Sequence, residues 1–387
     1  MEFLGYVREN GKVGARNHVA VIPSVNCSNE VAKRICMEVE NTRPFNHHQG
    51  CCQLPPDLDR TTKTLTALGI SPNVGAVLIV SLGCEGTDVD YMAQEIAKTG
   101  KPVEVIRIQE LGGTKKAVEE GIRKAKQLAD RIAGAKRQPV DLSECVMSIK
   151  CGASDATSGL ASNCVIGYVA DKIVDLGGTV VFGETTEFIG AEHILARRGR
   201  TPEVGARIYE IVERMETRAK SLGCDMRKGQ PTPGNIAGGL SSIEEKSLGA
   251  IVKSGTKPIE GVLEYTDRIT DQKGLWIKDT PGREIEILTG MAATGAQVMC
   301  FSTGRGAPQG FPTMPVLKIC GNPVTYEHLK DDMDLNAGRI ITGEKSIEEV
   351  GEEAFARLIE VLSGKKTKCE ELEYFNSIDI YTMGPVI

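Results

Sequence analysis

The segment Ala76–Leu82 (AVLIVSL) is the strongest constraint on the fold. It is apolar on every turn of the backbone, yet far too short to span a membrane. A strand of that character is buried on both faces, which places it in the middle of a sheet covered by helices on each side. The surrounding pattern agrees. His18–Pro23 reads as a strand, Asn29–Glu40 and Leu58–Leu68 as helices, Val89–Thr99 as a helix, Val103–Ile108 as a strand and Thr114–Ala133 as a long helix, with a short strand over Arg43–Asn46. Alternation of this kind predicts a mainly parallel sheet.

The polar, Pro-bearing stretch Gly134–Val140 (GAKRQPV) interrupts the pattern, which then restarts. Cys145–Lys150, Thr179–Phe182, Gly274–Ile277, Ala296–Phe301 and Val316–Ile319 read as strands. Asn163–Leu176, Glu192–Arg198, Glu203–Leu222, Ser242–Ala250 and Ser346–Leu362 read as helices, the last capped by Ser346 with Glu349 three residues on. The expectation is an α/β protein of two Rossmann-like parallel-sheet domains, residues 1–136 and 141–387. The site is expected at the strand carboxyl ends between them. Residues 227–239 (RKGQPTPGNIAGG), rich in Gly and Pro, read as an internal linker or as a loop that clasps something.

Composition removes several classes of function. Hydrophobic residues are 41% and charged residues 25% of the 387, an ordinary globular balance that excludes disorder. A net charge of −6 with 4% aromatic residues argues against nucleic acid as a partner. No apolar run has membrane-spanning length, and Met1–Arg16 lacks the apolar core of a signal peptide, so a cytoplasmic protein with no membrane partner is expected. GxGxxG and Walker A patterns are absent. Asp332, Asp334 and Asn336 fail as a calcium loop for want of the required Gly and late Glu.

Ligands of open parallel sheets sit beyond the carboxyl ends of the strands, so the residues just past each strand carry the chemistry. Those are His47-His48-Gln49-Gly50-Cys51-Cys52, Gly83-Cys84-Glu85-Gly86, Cys151-Gly152-Ala153-Ser154-Asp155, Gly183-Glu184-Thr185-Thr186-Glu187 and Ser302-Thr303-Gly304-Arg305-Gly306. Three loops set a Cys beside a Gly: Cys51, Cys84 and Cys151. Twelve cysteines in a reducing compartment are mostly small buried hydrophobes, and burial is the simpler reading of each taken alone. Three thiolates meeting from separate strand ends is the alternative, and such a group would leave one iron of a cluster open as a Lewis acid. Arg305 between glycines suits a carboxylate, or equally a surface turn. Glu184, Glu187 and His193 suit acid–base work, or equally the start of a helix.

Longer segments carry a resemblance. GYVRENGKVGARNHVAVIPSVNC, HHQGCCQ, LGCEG, KCGASDATSGLASN, GGTVVFGETTEFIGAEHILARR, PTPGNIAGGLSSIEEKSLGA, CFSTGRG and DMDLNAG run nearly end to end. Together they resemble the catalytic region of the altronate/galactarate dehydratase family. The resemblance implies an iron-dependent hydro-lyase that dehydrates a 2,3-dihydroxy sugar acid, such as altronate or galactarate, to a 2-keto-3-deoxy acid. It implies a 4Fe-4S cluster on Cys51, Cys84 and Cys151, or else mononuclear iron. It further implies substrate contacts at Arg16, His47, Ser154, Asp155 and Arg305, and catalytic groups among Glu184, Glu187, His193 and Lys246. Members often carry a small extra domain of the kind related to antifreeze proteins and sialic-acid synthase (SAF). This chain starts at the catalytic region, so a separate small SAF-type subunit and a homo- or hetero-oligomer are expected. HHQGCCQ departs from the family with Cys52 where Gly is common. Two other readings stay open: sulfo-lyase chemistry on sulfolactate, with sulfite as leaving group, and a non-catalytic sugar-acid-binding subunit.

Overall fold

The computed structural model describes residues 1–375 and 377–385. Its first half is built on a four-stranded parallel sheet. The N-terminal strands are β1 (Glu2–Val7) and β2 (Val13–Gly14); the sheet itself comprises β3 (His18–Pro23), β4 (Thr42–Pro44), β5 (Val74–Ser81) and β6 (Val103–Arg107), in the order β4-β3-β5-β6. β5, centred on the apolar run of the sequence, is buried at all eight positions. Because side chains alternate, Val19, Val21, Leu78 and Val80 pack on one face with Ile35 and Leu128 of the helices Asn29–Glu38 and Thr114–Ala133. Ala20, Ile22, Val77 and Ile79 face the other way, onto helices Pro55–Ile70 and Val89–Ala97.

The second half holds a seven-stranded parallel sheet. After β7 (Gln138–Asp141) come β8 (Val146–Gly152), β9 (Thr179–Phe182), β10 (Ile259–Leu263), β11 (Gly274–Lys278), β12 (Val298–Thr303), β13 (Val316–Cys320) and β14 (Leu335–Asn336). Their order is β10-β11-β9-β8-β12-β13-β14. Helices Asn163–Asp175 and Ile347–Leu362 cover one face of it, the latter closed by the Ser346–Glu349 capping box read from the sequence. The other face meets the first half through a shared core that includes Leu65, Leu68, Met291, Met299 and Phe301.

Three features differ from the sequence pattern. The interruption at 134–140 carries a strand: β7 pairs antiparallel with β1, and Val140 is its one residue packed on the core. Four residues with one apolar side chain leave no period to read. Helix Glu284–Thr294 has no counterpart in the sequence reading either. Every residue from Glu286 to Thr294 is buried, because the helix is wedged between the two sheets, and a helix buried all round has no amphipathic stripe. Residues 227–239 form two short helices, Met226–Gly229 and Pro233–Ala237, and they clasp: Asn235 Nδ2 donates to Ser154 O at 2.9 Å and Ala156 N to Gly238 O at 3.0 Å. The tail also returns to the first half, with Ile378 N donating to Asn46 O at 2.8 Å. Among the described residues no helix is long and apolar enough to cross a membrane.

Arg16 belongs to this framework. All its donors are spent. Nε and Nη2 grip Glu370 at 2.7 and 2.8 Å, Nη1 bonds Ala15 O and Val361 O, and Nη2 also bonds Lys365 O. The guanidinium therefore ties the start of the chain to its last helices and offers no free edge to a substrate. Truncating one partner of such a buried pair strands the other, a cost of about 3–5 kcal/mol. Arg16→Ala is expected to lose that much in chemical denaturation, with KM unchanged in the fraction that folds. A stable variant with a raised KM would return Arg16 to the substrate.

Candidate active site

At the carboxyl end of the seven-stranded sheet, four charged side chains are removed from water together. Lys150 is the fifth residue of β8, Glu184 comes after β9 and one glycine, Glu187 closes the short turn Thr185–Glu187, and Lys253 lies in the turn Val252–Ser254. Glu184 pairs with both Lys150 and Lys253, and its Oε2 also accepts from the Cys151 N–H at 2.9 Å. Lys253 Nζ goes on to Glu187 Oε2 at 2.8 Å. Lys150 Nζ donates in addition to Cys151 O at 2.7 Å. Glu184 holds this position with a left-handed backbone, φ +70° and ψ +60°, which costs a non-glycine residue strain that the surrounding ion pairs offset.

Electrostatics fix the charge states. Burial works against the ionised carboxyl of Glu187, but Lys253, Lys246 and Lys150 outweigh it and hold it below the usual carboxylate range. Burial likewise disfavours the Lys253 ammonium, and Glu184 and Glu187 reverse that, pushing its pKa up. Lysine and carboxylate thus alternate along the ion pairs Lys150–Glu184–Lys253–Glu187.

The alternation reaches a cavity through Lys246, on helix Ile243–Ile251, whose Nζ is 3.9 Å from Glu187 Oε1 and donates to Gln230 Oε1 at 3.0 Å. The helix is positioned by Ser242, which accepts from Glu245 N. The cavity, about 410 Å³, lies between this helix and the π-helical turn Ser158–Ser162. Leu160, Leu240 and Leu248 give it apolar walls, and Cys151, Ser154, Asn163 and Lys246 supply its polar groups. The Asn163 Oδ1 is buried there without a hydrogen-bond partner among the described residues. Irregular π turns inside helices recur at functional sites. The cavity opens on the face covered by helix Asn163–Asp175, because Cys151 continues the inward side of Met147 and Ile149, and not in the seam between the two sheets.

Six of the residues singled out from the sequence meet here: Cys151, Ser154, Asp155, Glu184, Glu187 and Lys246. Cys151 is buried, its Sγ 2.9 Å from Ser154 Oγ, and burial followed by the Glu187 charge raises its pKa, so it is a thiol. Asp155 is a local tie, accepting from Thr157 N, Ser158 N and Asn322 Nδ2 at 2.9, 3.1 and 3.0 Å. Gly304 is required beside it, since a Cβ there would stand 2.0 Å from Asp155 Oδ1.

The others lie elsewhere. His193 is exposed on helix Glu192–Ala196. Arg305 is exposed and touches this region only through its backbone N–H, which donates to Ala153 O at 2.9 Å. His47 is buried with its ring spent on the backbone: Nε2 bonds Pro23 O at 2.8 Å and Nδ1 accepts from Gln49 N at 3.1 Å. Its neighbour His48 pairs instead with Asp379 at 2.7 Å.

Cys51 and Cys84 are exposed on adjoining loops, joined where Gly86 N donates to Gly50 O at 3.0 Å. Cys51 Sγ lies 3.7 Å from Cys52 Sγ, and Cys84 Sγ accepts from Gln109 Nε2. Among the described residues no three His, Cys, Asp or Glu side chains stand together as a metal site. With two thiols exposed on the first half and the third buried against Ser154 in the second, the residues as placed do not fit a shared three-thiolate group. No step of the proposed reaction runs through one.

Lys150, Lys253 and Asn163 were missed in the sequence. A signal existed for the lysines: each interrupts an apolar run, VMSIKCG and LGAIVKSG, where an ammonium is tolerated only with a buried partner.

A buried, paired lysine–carboxylate array beside an apolar cavity at parallel-strand ends defines an enzyme-type site for a small organic acid. The family model for the C-terminal part of D-galactarate/altronate dehydratase matches residues 142–386, and that for the second domain of D-galactarate dehydratase/altronate hydrolase matches residues 5–133. The chain belongs to this dehydratase family. It is 37% identical over 376 residues to the (2R)-sulfolactate sulfo-lyase subunit beta of Chromohalobacter salexigens, covering 96% of this chain and 95% of that one. It is 32% identical to the altronate dehydratase of Bacillus subtilis and 33% to the galactarate dehydratase (L-threo-forming) of Escherichia coli, covering 99% of this chain each time and 78% and 77% of theirs.

His47 supplies a pH test of the framework. Burial lowers its pKa to about 4, from 6.5. Between those values the unfolded chain binds the proton and the folded one does not, so stability falls as pH drops through that window, by about 3 kcal/mol in all. Urea denaturation from pH 7 to 4 is expected to show this loss beside a like one from His18, whose pKa burial also lowers to about 4, and His47→Gln to remove only the His47 share.

Proposed function

We propose that the chain is a hydro-lyase that dehydrates a 2,3-dihydroxy sugar acid to a 2-keto-3-deoxy acid, in the cavity beside Lys246. The observation that carries the reading is the charge balance there: among the described residues Lys150, Lys253 and Lys246 form ion pairs with only two carboxylates, Glu184 and Glu187, and the most loosely paired ammonium, 3.9 Å from Glu187, is the one on the cavity wall. A substrate carboxylate completes the alternation. Pairing with Lys246 acidifies the adjacent C–H, because the charge that builds on the carboxylate during proton removal meets a fixed cation in an apolar enclosure. Glu187, ionised and behind Lys246 rather than on the cavity wall, is the base and takes the proton through one bridging water. The electrons of the broken C–H bond form the C=C of an enol, the hydroxyl on the next carbon departs as water with the proton that Glu187 took up, and the enol tautomerises to the keto acid. Glu184 touches no substrate; it keeps Lys150 and Lys253 in place. The unpartnered Asn163 Oδ1 accepts from a substrate hydroxyl.

Glu187→Gln is expected to lower kcat about 10²–10⁴-fold with little change in KM, the range for removing a positioned base. Lys246→Ala is expected to raise KM as well as lower kcat. Equal activity in either variant removes that residue from the mechanism. Assaying hexonates, hexarates, tartrates and sulfolactate for keto-acid and sulfite release selects the substrate.

A second reading is favoured by one observation: the chain is 37% identical to the sulfo-lyase subunit beta, against 32% and 33% to the two dehydratases. In that reading the same proton abstraction expels sulfite from sulfolactate, and a separate small subunit completes the enzyme. Ligand-dependent thermal stabilisation without product, with or without such a subunit, would instead make the chain a sugar-acid-binding protein.

The iron requirement is a separable proposal, supported by the sequence resemblance, with its own test. Anaerobically prepared protein is assayed for iron and acid-labile sulfide beside Cys84→Ser and Cys151→Ser. Iron and sulfide lost in both variants support a cluster shared by Cys51, Cys84 and Cys151, formed by movement of these loops. Iron without sulfide supports a mononuclear site. Full activity with neither overturns the requirement.

A further inference from the structure

At the opposite end of the molecule, the amino edges of the two sheets meet in a seam, and Arg268 reaches into it from the loop between β10 and β11. It lines two cavities. One, about 170 Å³, is bounded by Ile70 and Pro72 of the first half and by Gly295 and Gln297 of the second. The other, about 290 Å³, is bounded by Lys63, Tyr91 and Asp267.

The guanidinium has no counter-charge. Among the described residues it forms no ion pair, and its Nε is buried without a hydrogen-bond partner. The charged groups around it are committed to others. Lys12 pairs with Asp271 at 3.0 Å, Lys273 with Glu144 at 3.3 Å and Lys63 with Asp59 at 2.7 Å. Glu95 pairs with Lys98, and the Asp267 carboxylate accepts from Glu264 N at 2.8 Å. The carbonyls that close helix Pro55–Ile70, natural acceptors for a cation, are taken by Lys101, which bonds Gly69, Ile70 and Ser71. Lys278 occupies Asp267 O and the Thr294 hydroxyl at the end of the central helix. Burial is the only cause acting on Arg268, and it lowers its pKa; no carboxylate opposes it. An N–H withdrawn from water and left unpaired, as at Arg268 Nε, is costly unless something pairs it.

We propose that Arg268 anchors a binding site for a small oxyanion, a carboxylate or a phosphate, held in the seam between the two halves. The planar fork of the guanidinium matches either anion through two parallel N–H···O bonds. Because the walls come from both halves, the anion bridges them, and occupancy stabilises their present arrangement. The inference stands apart from the roles given to Glu187 and Lys246.

The test is isothermal titration and thermal denaturation of the full chain with sodium phosphate, sodium sulfate or sodium malonate, against sodium chloride at equal ionic strength. Wild type is expected to bind at least one of the three and to melt a few degrees higher with it; phosphate alone or malonate alone identifies the source. Arg268→Met is expected to lose the shift, and without anion to melt no lower than wild type, because an apolar side chain replaces an unpaired cation. Arg268→Lys, which keeps the charge and loses the fork, is expected to bind at least 10-fold more weakly. Lys246→Ala is expected to keep the shift, which separates this site from the cavity of the proposed reaction. No response of wild type beyond that to chloride, or an equal response in Arg268→Met, overturns the proposal.

Discussion

The alternating charges of Lys150, Glu184, Lys253 and Glu187 are the interaction on which the site depends. All four are essentially out of water. Each ion would be heavily destabilised alone, and removing one leaves its neighbour buried and uncompensated. They come from three separate pieces of chain: β8, the segment Glu184–Glu187 that follows β9, and the turn Val252–Ser254. The array therefore fixes the mutual position of those pieces as firmly as a core would. It also has a direction. It starts inside the sheet, where Lys150 lies beside Phe301 of the next strand, and ends at Lys246 on a cavity wall. Charge that cannot relax is what makes such an array useful for stabilising charge that develops on a bound acid.

The sheets explain why the array sits where it does. β8 lies at the centre of the seven-stranded sheet, between β9 and β12, so its carboxyl end is covered by both halves of the structure. On one face Lys150 meets the shared core around Phe301; on the other Cys151 opens toward the cavity under helix Ile243–Ile251. The segment 227–239 closes over Ser154 and Ala156 and brings Gln230 to Lys246. A loop that looks like a linker by composition is thus a wall of the site.

Much of this was legible in the residues themselves. Ala76–Leu82 fixed the parallel sheet, Thr114–Ala133 showed its helix by period, and Ser346 with Glu349 marked a helix start. Glu184, Glu187, Ser154 and Cys151 stood out because each lies just past the carboxyl end of a strand, where parallel sheets gather their ligands. Other features left no local trace. Helix Glu284–Thr294 is buried on all sides and so shows no stripe. Arg16 was a substrate contact by resemblance alone, and no local pattern shows its ion pair because the partner, Glu370, lies at the far end of the chain. Cysteine spacing carries no distance, and the three thiols that motif resemblance groups together are split between an exposed edge and a buried strand end. Lys150 and Lys253 were readable in principle, as charges inside apolar runs, but only their partners reveal what they do.

The most direct measurement is a crystal structure of the chain with a 2-keto-3-deoxy acid bound. The account predicts the carboxylate of that acid within about 3 Å of Lys246 Nζ, in the cavity between helix Ile243–Ile251 and the turn Ser158–Ser162, with the array behind it unchanged. The acid bound beside the loops of Cys51 and Cys84, with the cavity beside Lys246 empty, would contradict it.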